Sequence, residues 1–542
     1  MATRCARTRS TIALIAACVI AGCGESPEEP RDAGTDVYFP PRDAGTDAGP
    51  PDRTAFCDPA AGAPGPYPAP DAFPAPRGPG VPARTFEESE LGTICAYLDA
   101  GEADVSDHHN LLVMYDGYLL MPFAPEFGRG GLALYDISDP CAPELVGTGL
   151  SETIRESHSI GFSSHGGRWA VVNQMGRALS VGRGGIQFWD VADATAPEAV
   201  ADLEVPGFLY PDAYARVTLS VFWQVPYVYV AAADNGVFIV DATDPRTPVL
   251  VGQHVFEPVM RAGQIQAIGN LLIVTAAEGA RTVLLDISEP EHPQPIPGGD
   301  FLAVDGDGLS PEAYFTTASG GYVWYALKDM GGGLMVVDIQ DPSAPSFAGD
   351  LRSGGNGGYV FLHEQYAFVG ESSVARVYDV SDLSDIQIVS ELDLIGDLDT
   401  VVPVGNLAVL SVDAEAEPDR GSAIAPWRAE PDGTAPHVTW AWPVAGASAL
   451  APTSRFGVTF DEMIEVHSAW EGSVRLYRAG GTPDEGRVAG VVSAQETIVT
   501  FTPYCPLEPG EYVLEIPAGG VRDVSGNAVT EAFTATFTVG AP

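Results

Sequence analysis

One short pattern recurs at a near-constant interval: GLALYDISDPCAP (131–143), GIQFWDVADATAP (185–197), GVFIVDATDPRTP (236–248), TVLLDISEPEHP (282–293) and GLMVVDIQDPSAP (333–345), with a weaker sixth copy, VARVYDVSDLSD (374–385). Such repetition constrains the fold more than local propensity does, because each unit buries its apolar face only against its neighbours. The aligned aspartates are Asp136, Asp190, Asp241, Asp286, Asp338 and Asp379, spaced 54, 51, 45, 52 and 41 residues apart. That interval suits one propeller blade of four strands.

Each copy follows another apolar run: Tyr118–Met121, Trp169–Val172, Tyr227–Ala231, Leu271–Thr275, Tyr322–Ala326, Tyr366–Val369 and Leu407–Val412. Runs without polar alternation are strands covered on both faces, as between stacked blades. Seven runs predict seven blades, the last pairing with a degenerate copy at GSAIAPW (421–427). In Asp-x-x-Asp-Pro-x-x-Pro, the aspartates read as caps on backbone amides and the prolines as turn formers, so these acids carry no chemistry. A ring must close, and Glu90–Ile94 (ELGTI) repeats the rim strand ELVGT at 144–148. The segment around 88–97 is therefore expected to complete the last blade and leave no open sheet edge.

The aliphatic strand ending in Val/Tyr-Asp-Ile/Val, followed by Asp-Pro-x-x-Pro-x-x-Val-Gly, resembles the LVIVD repeat of bacterial and archaeal surface proteins, a family read as β-propellers. The resemblance covers about residues 88–436; the second and sixth copies lack the proline after the second acid, and the seventh lacks the aspartate. Residues 437–542 alternate differently, with RFGVTFDEMI, TIVTFTPYCPLEPGEYVLEI, GVRDVSGNAV and AFTATFTV reading as antiparallel strands. They resemble a bacterial SbsA-type Ig-like domain: Phe460-Asp461-Glu462 stands where that family has Phe-Ser-Glu, and Asp523 to Asn527 matches its Asp-x-x-Gly-Asn turn. The fold class expected is all-β, a seven-bladed β-propeller (84–436) followed by an Ig-like β-sandwich (437–542).

The start of the chain reads as a secretory leader, residues 1–22: Arg4, Arg7 and Arg9 without acids, then an apolar run from Ile12 to Gly22 too short to span a bilayer. Ile20-Ala21-Gly22-Cys23 resembles the bacterial lipobox, which implies lipid on Cys23 and an exported, membrane-anchored lipoprotein at the outer membrane or cell surface. Residues 23–83, rich in Pro, Gly and Asp and repeating Pro-Arg-Asp-Ala-Gly-Thr-Asp, are expected to be a disordered tether. With Cys23 acylated, Cys57, Cys95, Cys141 and Cys505 are left to pair in one of three ways. A bond among the first three is preferred, with Cys505 a free or inter-domain thiol.

A net charge of −46, with Lys328 the single lysine, argues against nucleic acid as a partner. The sequence has no His-Glu-x-x-His, Gly-x-Ser-x-Gly, phosphate loop or Cys-x-x-Cys, so no catalytic residue is assigned. Propellers bind ligands where the inner strands begin at the central channel. Counting back from each second run places His109, His158, Arg216, Gln264, Tyr314, Tyr359 and Asp399 there. Asp305-Gly-Asp307-Gly-Leu-Ser-Pro-Glu312 resembles a short calcium loop, with Asp305, Asp307 and Glu312 as the ligands. The function expected is a lipid-anchored binding or adhesion scaffold for an envelope or extracellular protein or polysaccharide. The alternative is an extracellular propeller hydrolase or lyase using His109, His158 and Asp399.

Overall fold

The repeated apolar runs become the second strands of seven four-stranded antiparallel sheets. The computed structural model describes residue 57 and residues 65–540, apart from 99–110, 124–129, 152, 155–156, 175–183, 208–217, 329–330, 414 and 419. Blades 1 to 6 occupy residues 113–151, 160–204, 220–254, 262–302, 313–351 and 360–392, each with its strands paired in chain order. The inner two strands of a blade are almost wholly buried, as in Ser220–Gln224 and Tyr227–Ala231, while the fourth is only half-buried at the rim, as in Val249–His254. Among the described residues no helix is long and apolar enough to cross a membrane.

The repeat's polar residues close its turns. Oδ1 of Asp136, Asp190, Asp241, Asp286, Asp338 and Asp379 accepts the backbone N–H two residues on, at 2.7–3.0 Å. The second aspartates, such as Asp193 and Asp341, do the same at 3.0 Å. The Val-Gly of the rim strand has a packing reason. A β-carbon on Gly349 would stand 2.1 Å from the Leu383 carbonyl of the next blade's turn, and one on Gly252 2.6 Å from that of Glu291. Glycine lets adjacent blades approach that closely.

Blade 7 combines Thr400–Val404, Leu407–Ser411 and Ser422–Pro426 with Ala96–Tyr97 from the far end of the ring. The N–H groups of Gly92, Cys95 and Leu98 donate to Pro426, Ile424 and Ser422. A Cys95–Cys141 disulfide pins this closing strand to blade 1.

The Ig-like domain packs a sheet of Val438–Trp442, Phe456–Phe460, Ile498–Pro503 and Gly490–Gln495 on one of Arg475–Arg478, Gly510–Ile516 and Phe533–Val539. Its core is continuous with the propeller's: Leu119, Leu132, Val402 and Leu407 belong to the same buried cluster as Phe456, Leu514 and Phe537.

Residues 65–83, expected to be part of a disordered tether, instead form an ordered strap. The Tyr67 hydroxyl donates to Leu476 O, Trp470 Nε1 to Pro70 O at 3.3 Å, and Arg475 Nη2 to Pro68 O at 3.1 Å. Farther on, Gly78 N donates to Asp116 O at 2.9 Å. Arginines and aromatics of the Ig-like domain supply the partners that the strap's own composition lacks. Cys505 is not a free thiol, because it is bonded to Cys57, 448 residues away.

Candidate functional site

The inner strands of the seven blades run parallel around the channel, so all begin at one end of the ring, the mouth, and finish at the other. The Ig-like domain occupies the far end. Ser493 Oγ accepts Val225 N–H (2.9 Å), Thr500 Oγ1 accepts Gly269 N–H (3.2 Å), and Phe460 O accepts the Ser319 hydroxyl (2.9 Å). The tip of its hairpin, Gln495-Glu496, reaches between inner strands: Glu496 Oε2 accepts Gln266 Nε2 at 2.9 Å, and Gln495 Oε1 accepts Trp223 N–H at 3.3 Å. Burial pushes the Glu496 carboxyl up to about 7, with Thr317 and Gln266 pulling it back.

Asp116 is a second anchor at this end. It sits buried at φ 52° in the turn after blade 1's inner strand. Its carboxylate takes Arg77 of the strap and Arg168 of blade 2 (2.7 Å), with His467 Nε2 of the Ig-like domain 3.6 Å away. Burial, ahead of the opposing pull of Asp116, lowers His467 to about 4, so the imidazole is neutral at pH 7.

The mouth carries the residues expected to bind. His158 of blade 2 and Tyr359 of blade 6 are not ring neighbours, yet the Tyr359 hydroxyl donates to His158 O at 3.0 Å and lies 3.3 Å from its Nδ1. Phe315 of blade 5 stacks on Tyr359 (4.1 Å between centroids) and meets the His158 ring at 5.7 Å. This cluster spans the axis, so the channel is filled by side chains at this level. The alternative that makes His158 a catalytic group finds its ring packed within this aromatic cluster.

Tyr314 extends the cluster outward through an edge contact with Phe315 (4.5 Å) and under the Lys328 ammonium (5.1 Å). Lys328 pairs with Glu278 at 2.7 Å, and Glu278 with Arg261 at 3.0 Å. Asp399 adjoins Tyr359, whose N–H its carbonyl accepts at 2.8 Å, and its carboxylate lies within 4.8 Å of those of Asp397 and Asp413. Gln264 is buried on blade 4 with Oε1 unpaired. His109 and Arg216, like Cys23, lie outside the described residues.

The calcium reading of Asp305, Asp307 and Glu312 meets a different arrangement. Asp305 Oδ1 accepts the N–H groups of Asp307 (3.0 Å) and Leu309 (2.8 Å), and Oδ2 pairs with Arg352 at 2.6 Å. Asp307 and Glu312 are exposed, and the three are not among the ligand groups that the fold brings within 4.8 Å among the described residues. Asp305 here caps a turn and meets an arginine.

Sequence reasoning missed Arg261, Glu278 and Lys328, which flank inner and second strands of blades 4 and 5. The rarity of lysine in this chain was the available signal.

Two family models match parts of this architecture. The LVIVD repeat matches residues 127–150, 226–254 and 316–352. The Big_5 bacterial Ig-like domain matches residues 432–539. No curated protein matches the chain. Among solved structures it is similar to the computationally designed Ika8 protein, at 12% identity over 61% of this chain and 99% of that one, TM-score 0.40. The periplasmic gluconolactonase of Pseudomonas aeruginosa is 12% identical over 54% of this chain and 88% of that one, TM-score 0.45. The WD40 β-propeller domain of Doa1 is 14% identical over 61% and 95%, TM-score 0.42. The chain carries LVIVD repeats, a β-propeller-type repeat, followed by a bacterial Ig-like domain.

Proposed function

We propose that this chain is a binding or adhesion scaffold of the cell envelope, exported and held to the outer membrane or cell surface by lipid on Cys23. Its propeller mouth would face an extracellular protein or polysaccharide. The observation that carries this reading is the asymmetry of the ring. One end is covered by the Ig-like domain, whereas the other gathers half-buried Tyr314, the Lys328–Glu278–Arg261 chain and the Asp397, Asp399 and Asp413 carboxylates, with Lys328 and Asp399 themselves buried among the described residues, around a filled channel. Aromatic and charged groups on a rigid frame suit recognition of a polar surface.

The test is capture of cell-envelope components, and glycan-array binding, by the mature chain. Tyr314→Ala and Lys328→Ala should each weaken capture by about tenfold, against a neutral change such as Thr453→Ala at the covered end. Capture that survives both mouth substitutions, or turnover of a polymer without stable binding, sinks the scaffold reading. Anchoring is tested separately by Cys23→Ser, which should release the protein from membranes.

A further inference from the structure

At the seam between blade 6 and the Ig-like domain, the fold gathers acids from three parts of the chain around one imidazole. His363 ends the inner strand Val360–His363, Asp432 lies in the linker, Glu462 follows the strand Phe456–Phe460, and Asp523 opens the Asp-Val-Ser-Gly-Asn turn. Carboxylate oxygens of Asp432, Glu462 and Asp523 lie within 4.8 Å of one another, and His363, Glu364 and Asp432 form a second such group.

These groups are not satisfied by one another. Glu462 is fully buried, and neither of its oxygens has a hydrogen-bond partner. His363 is also buried; its Nδ1 is 3.6 Å from Glu462 Oε2 and its unpaired Nε2 is 3.9 Å from Asp432 Oδ2, both too long for hydrogen bonds. Asp523, by contrast, is held in place by Asn527, which donates its N–H and its side-chain amide at 2.9 Å each. Among the described residues Arg428 is the one cation paired with this cluster, 2.9 Å from Asp432 Oδ1 and 3.3 Å from Glu364. One guanidinium thus meets Glu364 and Asp432, and Glu462 and Asp523 add two more carboxylates to the cluster. An unpaired buried carboxylate is costly, and such groups are ordinarily paired, protonated or bound to metal. Without another cation, burial and then the charges of Asp523 and Asp432 push Glu462 up to about 11.

We propose that Asp432, Glu462 and Asp523, with His363 at the edge, hold one hard divalent cation, of the calcium or manganese class, that fastens the propeller to the Ig-like domain. Three carboxylates form the oxygen-rich set such ions prefer, and the imidazole is a ligand manganese also accepts. The cation supplies the charge that Arg428 cannot.

The full chain, stripped with a chelator, is titrated calorimetrically with CaCl2, MnCl2 and MgCl2 near pH 7.5, where the ligands compete with protons. One site should fill below about 1 mM for calcium or manganese, and the melting temperature should rise by about 3 °C or more. Glu462→Gln and Asp432→Asn should each weaken binding by about tenfold or more. Glu462→Gln should also melt no lower than the stripped parent, since it replaces a buried carboxyl that has no hydrogen-bond partner with a neutral group of the same shape, so its lost binding is not unfolding. Asp399→Asn and Asp305→Asn should bind as the parent does. Uptake of neither ion by the stripped parent, unchanged binding by Glu462→Gln, or loss of the site in Asp399→Asn overturns the proposal.

Discussion

Oε2 of Glu496, at the tip of an Ig-like hairpin, accepts a 2.9 Å hydrogen bond from Nε2 of Gln266 on the inner strand of blade 4. The carboxyl that docks the two domains is thus carried into a desolvated place, where it titrates near 7 rather than the ordinary 4.5. A raised folded-state value means that the folded protein holds the proton more tightly. The stabilisation is complete below about pH 4.5 and is lost as pH rises through about 7. Glu496→Gln keeps the accepting oxygen and removes the proton. It should therefore be more stable than the parent at pH 8, by about 1–3 kcal/mol, and equal to it near pH 4.5. Urea unfolding at the two pH values checks this; equal stability at pH 8 would mean the carboxyl is solvated.

Asp116 joins the strap, two blades and the Ig-like domain through Arg77, Arg168 and His467. Asp116→Ala leaves Arg77 and Arg168 without their shared anion and places a β-branchless apolar residue at positive φ. A loss of about 3 kcal/mol is expected. Asp116→Asn, which tolerates that backbone and keeps one acceptor, should lose less. Thermal melting of the pair separates geometry from charge.

The Cys95–Cys141 bond closes a loop of 46 residues at the ring's seam. Replacing both cysteines by serine should cost about 4 kcal/mol on the chain-entropy account. Hydrogen exchange should then rise first at Ala96–Tyr97, which loses its tie to blade 1, and at its sheet partner Ser422–Pro426. Exchange that rises uniformly instead would mean that the ring does not open at this seam.

Within the mouth, Tyr359→Phe removes one donor to His158 and keeps the stack on Phe315. It should cost about 1 kcal/mol, whereas Phe315→Ala, which empties the centre of the cluster, should cost about 3–4 kcal/mol. Gly349→Ala should cost about 2 kcal/mol or more, since its β-carbon would need the next blade to move away.

The propeller was legible because its pattern is local and repeated. Tyr227–Ala231 reads as a buried strand from five residues alone, and Asp241 caps a turn two residues long. Counting back from such runs also reached His158 and Tyr359. What the sequence hid depends on partners far away. Tyr67 and Arg77 look like tether composition until Leu476 and Asp116 meet them. Glu462 and Asp523 were recognisable only as markers of an Ig-like domain. Their neighbour His363 lies 99 residues before Glu462 and 160 before Asp523, and only docking brings it near.

The Cys57–Cys505 bond makes nearly the whole folded body one covalent lasso. A protease that nicks any loop of the ring leaves both fragments tied at that knot. Such damage is invisible to a sizing experiment until a reductant is added. It also sets the path of mechanical tension: a pull on the chain before Cys57 is transmitted first to the Ig-like domain at Cys505, and the blades hang slack beside that route.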